Sequence, residues 1–184
     1  QGRGTFVASP RIEQRLNRLT GFTQDMRVRG QRPGARVLQK EIVPAPYPVA
    51  RALELEAGDS VVLLKRLRLS DEEPVAIETA HLPEALCPGL LEEITEDSSL
   101  YAVLASSFDI IPTRAEQQVE AVLCPAAEAN VLGVQKGAPM LHMYRVTYSS
   151  GDFPFEYTES FYRGDRYVFH VELRNGGTKK KPQR

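Results

Sequence analysis

The chain has 184 residues, enough for one domain with a proper core. It is 42% hydrophobic and 26% charged, as ordinary globular proteins are, and a formal net charge of −1 gives no electrostatic case for binding nucleic acid through its own surface. No apolar run reaches membrane-spanning length, and no signal peptide is expected. Cys87 and Cys124 lack metal-type spacing and are compatible with buried thiols in a reducing cytoplasm or with a disulfide.

In chain order, residues 1–9 read as the end of an earlier element. Gly2, Arg3 and Gly4 turn into an alternating Thr5, Phe6, Val7 strand that has no partner before it, and a start at Gln1 rather than Met predicts a fragment or processed form. Thr23 is placed to cap a short helix that Gly30 ends. A strand is predicted over 36–43, broken by 44–48, followed by a short helix over 49–54. Residues 60–69 and 75–80 are apolar runs joined by a polar turn over 70–73, a β-hairpin. Short helical pieces follow over 84–92. A helix over 100–108 has cap residues at Asp97, Ser98 and Ser99. Residues 113–123 alternate as a strand, and 125–132 form a helix closed by Gly133. Strands are predicted over 140–148, 153–162 and 167–173, with the first two joined at Gly151 and Asp152. The polar tail, 175–184, is expected to be disordered. Hairpins outnumber βαβ units, so the expected class is α+β with a central, mainly antiparallel sheet and flanking helices.

The hairpin carries the most informative residues. Arg66 and Arg68 are two apart on a strand and share a face, while Leu63, Leu67 and Leu69 take the other. A register that sets Leu67 against Ile77 and Leu69 against Val75 also sets Arg66 against Glu78 and Arg68 against Ala76. A solvated face is one reading, and a cross-strand ion pair explains Arg66 and Glu78. Neither gives Arg68 a partner. An anion carrying hydroxyls fits the open floor beside it.

No phosphate-loop, HExxH or GxSxG motif is present, and His81, His142 and His170 are scattered as strand residues. No catalytic set, metal or cofactor is expected. Ser98, Ser99 and Tyr101 stand at one predicted helix start and Phe22 and Thr23 at another. They serve either as caps or as donors to a phosphate. On a late strand, alternation puts Glu156 and Tyr162 on one face, an exposed polar surface or a set of partners for sugar hydroxyls.

In order and spacing, residues 2–7, 19–30, 65–74, Ile77 and Glu78, 99–101 and 162–167 resemble the UTRA effector-binding domain of GntR-type bacterial transcription regulators of the HutC branch. The likeness runs over roughly residues 2–173. It implies a chorismate-lyase-like fold over 10–174, preceded at 1–9 by the last strand of a winged helix-turn-helix. It further implies a cytoplasmic homodimer that senses a small molecule and changes the operator affinity of the attached DNA-binding domain. Within the branch the pattern is most similar to regulators of amino-sugar use, with N-acetylglucosamine 6-phosphate or glucosamine 6-phosphate as effector. By that resemblance Phe22, Thr23, Arg66, Arg68, either Ser98 or Ser99, and Tyr101 line the phosphate, while Glu78, Glu156 and Tyr162 face the sugar. A different sugar phosphate or an organic acid in the same cleft is the alternative effector, and a lyase-type enzyme the alternative class.

Overall fold

The computed structural model describes residues 11–173; the expected wing strand at 1–9 and the tail at 175–184 lie outside them. Six strands form one sheet: β2 (Pro33–Pro44), β3 (Ser60–Ser70), β4 (Glu73–Pro83), β5 (Arg114–Leu123), β6 (Pro139–Tyr148) and β7 (Pro154–Arg163). Their order is β2-β3-β4-β7-β6-β5, and every neighbouring pair is antiparallel. β1 (Ile12–Arg15) pairs in parallel with β8 (Tyr167–His170) as a separate ribbon. The helices are α1 (Phe22–Val28), α2 (Tyr47–Ala52), α3 (Leu90–Glu93), α4 (Leu100–Ser107) and α5 (Ala126–Leu132). The class is α+β, as the hairpin-rich pattern predicts. Among the described residues, no helix is long and apolar enough to cross a membrane.

Alternation along β3 divides the core. Val62 and Leu64 point into a cluster with Leu82, Leu90, Leu104 and Phe155, beneath α3 and α4. Leu67 and Leu69 point the opposite way, to Ile77 and the α5 residues Ala129 and Leu132. Val61 meets Val49 and Leu53 around α2. Each such fully buried aliphatic side chain stabilises the fold by about 1.5–3 kcal/mol. Arg66 and Arg68 have the parity of Val62 and Leu64, so they extend the face that helices cover. They are 2% and 3% exposed, which rules out the solvated-face reading.

Several local expectations need correction. The helix after Thr20 begins at Phe22, with Gly21 as its cap residue. Thr23 therefore lies inside the first turn and caps nothing. Ser99 occupies the cap position of α4 without a side-chain capping bond. Leu69 faces Pro74 rather than Val75, because the register shifts after Arg68; the extra residue, Val75, is still fully buried. The turn narrows to Asp71 and Glu72, both at positive φ (49° and 70°), the geometry of a two-residue hairpin loop. α2 starts earlier than expected because Pro48 fits the first turn of a helix. β1 has no counterpart in the sequence reading. It covers the last strand, which stops at His170, and Tyr167 there is 2% exposed rather than bare. Cys87 and Cys124 are both free and buried.

Candidate functional site

Strand register lays the site out in rows across β3, β4, β7 and β6. Arg66, Glu78, Ser160 and Met143 form one row, and Arg68, Ala76, Tyr162 and Leu141 the next. On the other side of the first row lie Leu64, Ala80, Thr158 and Arg145. Glu156 pairs with Thr147 beyond that. Small side chains at Ala76 and Ser160 leave floor space between the charged ones. The walls are the start of α1 (Phe22, Thr23) and the start of α4 (Ser99, Tyr101). A side chain at Gly21 would meet the Tyr101 ring, at 3.1 Å from its Cδ2, so glycine lets these two walls approach.

One cavity gathers Phe22, Thr23, Arg66, Arg68, Glu78, Ser99, Tyr101, Glu156 and Tyr162. Ser98 does not line it. Its hydroxyl is turned to the preceding loop, 2.9 Å from both the Thr95 amide and the Thr95 hydroxyl. Of the two serines left open by the sequence, Ser99 is the one on the cavity.

Arg66 Nη2 donates to Glu78 Oε1 at 2.7 Å. Arg68 has a weaker setting: Nη2 is 3.4 Å from Thr23 Oγ1, and its guanidinium lies 4.2 Å above the Phe22 ring. Three buried N–H groups, Arg66 Nε and Nη1 and Arg68 Nε, have no hydrogen-bond partner among the described residues. Native proteins rarely leave such donors unpaired. Burial brings Arg68 down to about 10, with Arg66 beside it adding to the fall and Glu78 opposing it; the group is still fully charged at neutral pH.

The two carboxylates are pushed apart. Burial raises Glu78, but Arg68 and Arg66 together outweigh it and hold the carboxyl below its usual range. Burial raises Glu156, and the nearby Glu78 charge adds to that. Glu156 Oε2 accepts from Tyr101 at 2.7 Å and Thr147 at 2.9 Å. Burial lifts both phenols, Tyr162 to about 12 and Tyr101 well above its usual value, so both remain protonated donors. The site thus offers clustered cations at the β3 end and mixed donors and acceptors toward β6. That suits one anionic group joined to a hydroxyl-rich body.

Sequence reasoning missed Arg145. Its Nε and Nη2 donate to Gln117 Oε1 at 2.9 and 2.7 Å, and Nη1 is 3.5 Å from the Thr20 carbonyl. Burial opposes its charge, while the Glu156 carboxylate and a hydrogen bond with Tyr101 favour it. The signal available was pairing: once Glu156 is placed on a face, the β6 residues opposite it alternate to Thr147, Arg145 and Met143. Gln14 and Asp25 also line the cavity, with Asp25 held by Arg29 at 2.6 Å.

Comparison with known proteins places this geometry. A family model described as the UTRA domain matches residues 28–168. The chain is similar to the HTH-type transcriptional repressor NagR of Bacillus subtilis, at 41% identity over 169 residues, 92% of this chain and 69% of that protein. It is 34% identical over 169 residues to the HTH-type transcriptional repressor PhnF of Mycolicibacterium smegmatis, 92% of this chain and 68% of that one. The crystal structure of PhnF from Mycobacterium smegmatis matches with a TM-score of 0.85 at 32% identity, covering 95% of this chain and 77% of that chain. The PhnF effector domain alone matches at 0.83 and 32% identity, over 89% of this chain and 100% of that one. These relatives are regulators of transcription, not enzymes. The chain belongs to the UTRA family and is the effector domain of a GntR-type transcription regulator.

Proposed function

We propose that this domain senses a phosphorylated amino sugar, N-acetylglucosamine 6-phosphate or glucosamine 6-phosphate, as part of a cytoplasmic repressor. Arg66 and Arg68 grip the phosphate, helped by Ser99, Tyr101 and the amides near Thr23. Glu78, Glu156 and Tyr162 read the sugar. The observation that carries the reading is the pair of buried guanidiniums with three N–H groups unpartnered among the described residues. A phosphate takes such donors in charge-assisted bonds worth about 1.5–3 kcal/mol each. Glu78 and Glu156 disfavour a plain fatty acid, which has nothing to offer two buried carboxylates. The amino-sugar assignment rests on the motif pattern shared with regulators of amino-sugar use. In this reading residues 10–174 are the effector unit and 1–9 the final strand of a winged helix. The protein works as a homodimer, and operator DNA is bound by the winged helix alone.

Calorimetry tests the reading directly. N-acetylglucosamine 6-phosphate should bind far more tightly than N-acetylglucosamine, and at a hundredfold excess over its Kd should stabilise the domain by about 2.7 kcal/mol. Equal affinity for the two sugars would refute the phosphate assignment.

A further inference from the structure

Alternation along β7 inverts the usual pattern of a strand with neighbours on both sides. The face turned to the site carries Glu156, Thr158, Ser160 and Tyr162 in succession, all buried, while Tyr157, Glu159 and Phe161 take the other face and are half-buried. In an antiparallel sheet the face toward the core normally carries the apolar residues. Glu156 has partners in Tyr101 and Thr147. The two hydroxyls between Glu156 and Tyr162 have none. Ser160 and Thr158 are 2% and 8% exposed and both line the cavity. Neither side chain makes a hydrogen bond among the described residues. Neither oxygen is sealed off as Ser70 Oγ is, so both are open to a partner from the cavity that they line. A buried hydroxyl without a hydrogen bond costs stability, and native proteins seldom keep one idle.

We infer that Ser160 and Thr158 are ligand-binding residues: they form the floor under the sugar ring of the effector and exchange hydrogen bonds with its hydroxyls. The inference rests on the sugar-phosphate reading above and extends its site to two residues that neither charge nor motif marks. The reach is short. Arg66 bonds Glu78 at 2.7 Å, so its guanidinium lies toward β4, and Ser160 faces Glu78 one strand away, a spacing of about 4.8 Å. Thr158 stands two residues along the same strand, about 6.6 Å from Ser160. A ring attached to a phosphate at Arg66 and Arg68 therefore lies over Ser160 first and extends toward Thr158 and Glu156. A hydroxyl both donates and accepts, so serine and threonine serve a sugar hydroxyl whichever way its proton points. An aliphatic or aromatic anion would leave both idle, and the pair thus selects a hydroxylated ligand. Side-chain size acts in the same direction, because a larger residue at 160 would fill the floor between Glu78 and Met143.

The test uses Ser160→Ala and Thr158→Val, which remove the hydroxyls at nearly constant volume. Without ligand both variants should melt at or slightly above the parent, since neither loses a hydrogen bond. In calorimetry each should bind N-acetylglucosamine 6-phosphate about threefold to tenfold more weakly, the worth of one neutral hydrogen bond. The 3-deoxy and 4-deoxy analogues separate a contact from a distortion. At least one of them should bind the parent more weakly than the full sugar does, and bind Ser160→Ala no more weakly still, because the two changes remove the same bond. A distorted site would weaken every ligand by the same factor. Three results each overturn the inference: both variants bind the sugar phosphate like the parent, the losses from Ser160→Ala and from both analogues simply add, or either variant melts well below the parent, its hydroxyl then having a partner within the protein. Failure of N-acetylglucosamine 6-phosphate to bind the parent overturns the sugar-phosphate reading and the inference with it.

Discussion

Replacing Arg68 by methionine should leave the ligand-free domain close to the parent in stability and disable it as a sensor. The side chain is 3% exposed, and among the described residues it makes no ion pair. The one carboxylate close by, Glu78, already accepts from Arg66 at 2.7 Å. Burial brings the Arg68 group down to about 10, and at 1.36 kcal/mol per pH unit that is about 3 kcal/mol against the charged form. Methionine keeps the stem and removes the charge. It also forfeits the contact with Phe22, worth about 0.5–2 kcal/mol, and the long bond to Thr23. It removes as well the larger of the two charges that hold Glu78 down, so gain and loss nearly offset and Tm should stay within about 2–4 °C of the parent. Arg66→Met should instead destabilise the domain. It strands Glu78 in a buried position, and breaking a buried pair from one side costs about 3–5 kcal/mol. Melting without ligand, then calorimetry with N-acetylglucosamine 6-phosphate, reads both effects. Arg68→Met should bind at least about tenfold more weakly, or 1.4 kcal/mol. If Arg68→Met melts as low as Arg66→Met, or binds the effector like the parent, the division of labour between the two arginines is wrong.

The two site carboxylates should show opposite pH behaviour. Glu156 is raised in the folded chain, so its charge opposes folding above its folded value and the effect fades as pH falls toward the unfolded value. Glu156→Gln should accordingly raise Tm near pH 7 and change it little near pH 4, as melting at the two pH values would show. Glu78 is lowered, so it contributes stability above its unfolded value that is lost as pH falls through the folded one. Glu78→Gln should lower Tm near pH 7, with the difference from the parent closing in acid. Gly164→Ala would place a Cβ 2.8 Å from the Pro139 carbonyl oxygen and should cost about 1–3 kcal/mol in denaturant unfolding. Light scattering at tens of micromolar, roughly ten times a micromolar dimerisation constant, should give the mass of two chains; a monomeric mass would sink the dimer.

The parts of the fold set by period-two patterning and turn chemistry were legible. The β3–β4 hairpin has two apolar runs around a polar turn, and one buried face forces the parity that sets Arg66 against Glu78. What failed were features decided at a distance. Thr23 reads as a cap because threonine caps helices, yet the helix starts one residue before it, where Gly21 lets the chain pass close to Tyr101. Ser98 and Ser99 are chemically alike, and only the loop bond to Thr95 turns one of them away from the cavity. β1 is four residues long and exists through its pairing with a strand more than 150 positions later, a partner that no local window contains. Arg145 sits between two ordinary strand residues and gains its meaning only from the strand beside it.

The electrostatics of the cavity bear on how binding of the proposed effector would reach the rest of the domain. The site holds a buried arginine that burial disfavours, a second arginine with two N–H groups unpartnered among the described residues, and a carboxylate raised by burial and by its neighbour's charge. None of these is what a chain selected only for stability would keep, since apolar replacements of buried charges are often neutral or stabilising. On the proposed reading, a dianionic phosphate between the arginines would pair these donors and stabilise Arg68 in its charged form. Sugar hydroxyls at Glu156 would compensate its lost hydration. Around this site few side-chain contacts join separate elements: Arg68 to Thr23 between β3 and α1, Tyr101 to Glu156 between α4 and β7, and Arg145 to Thr20 between β6 and the segment leading into α1. A ligand can shift a conformational equilibrium only through contacts that differ between the two states. If the site takes the proposed effector, the contacts to change are these seams between a regular sheet and the short segments laid across it.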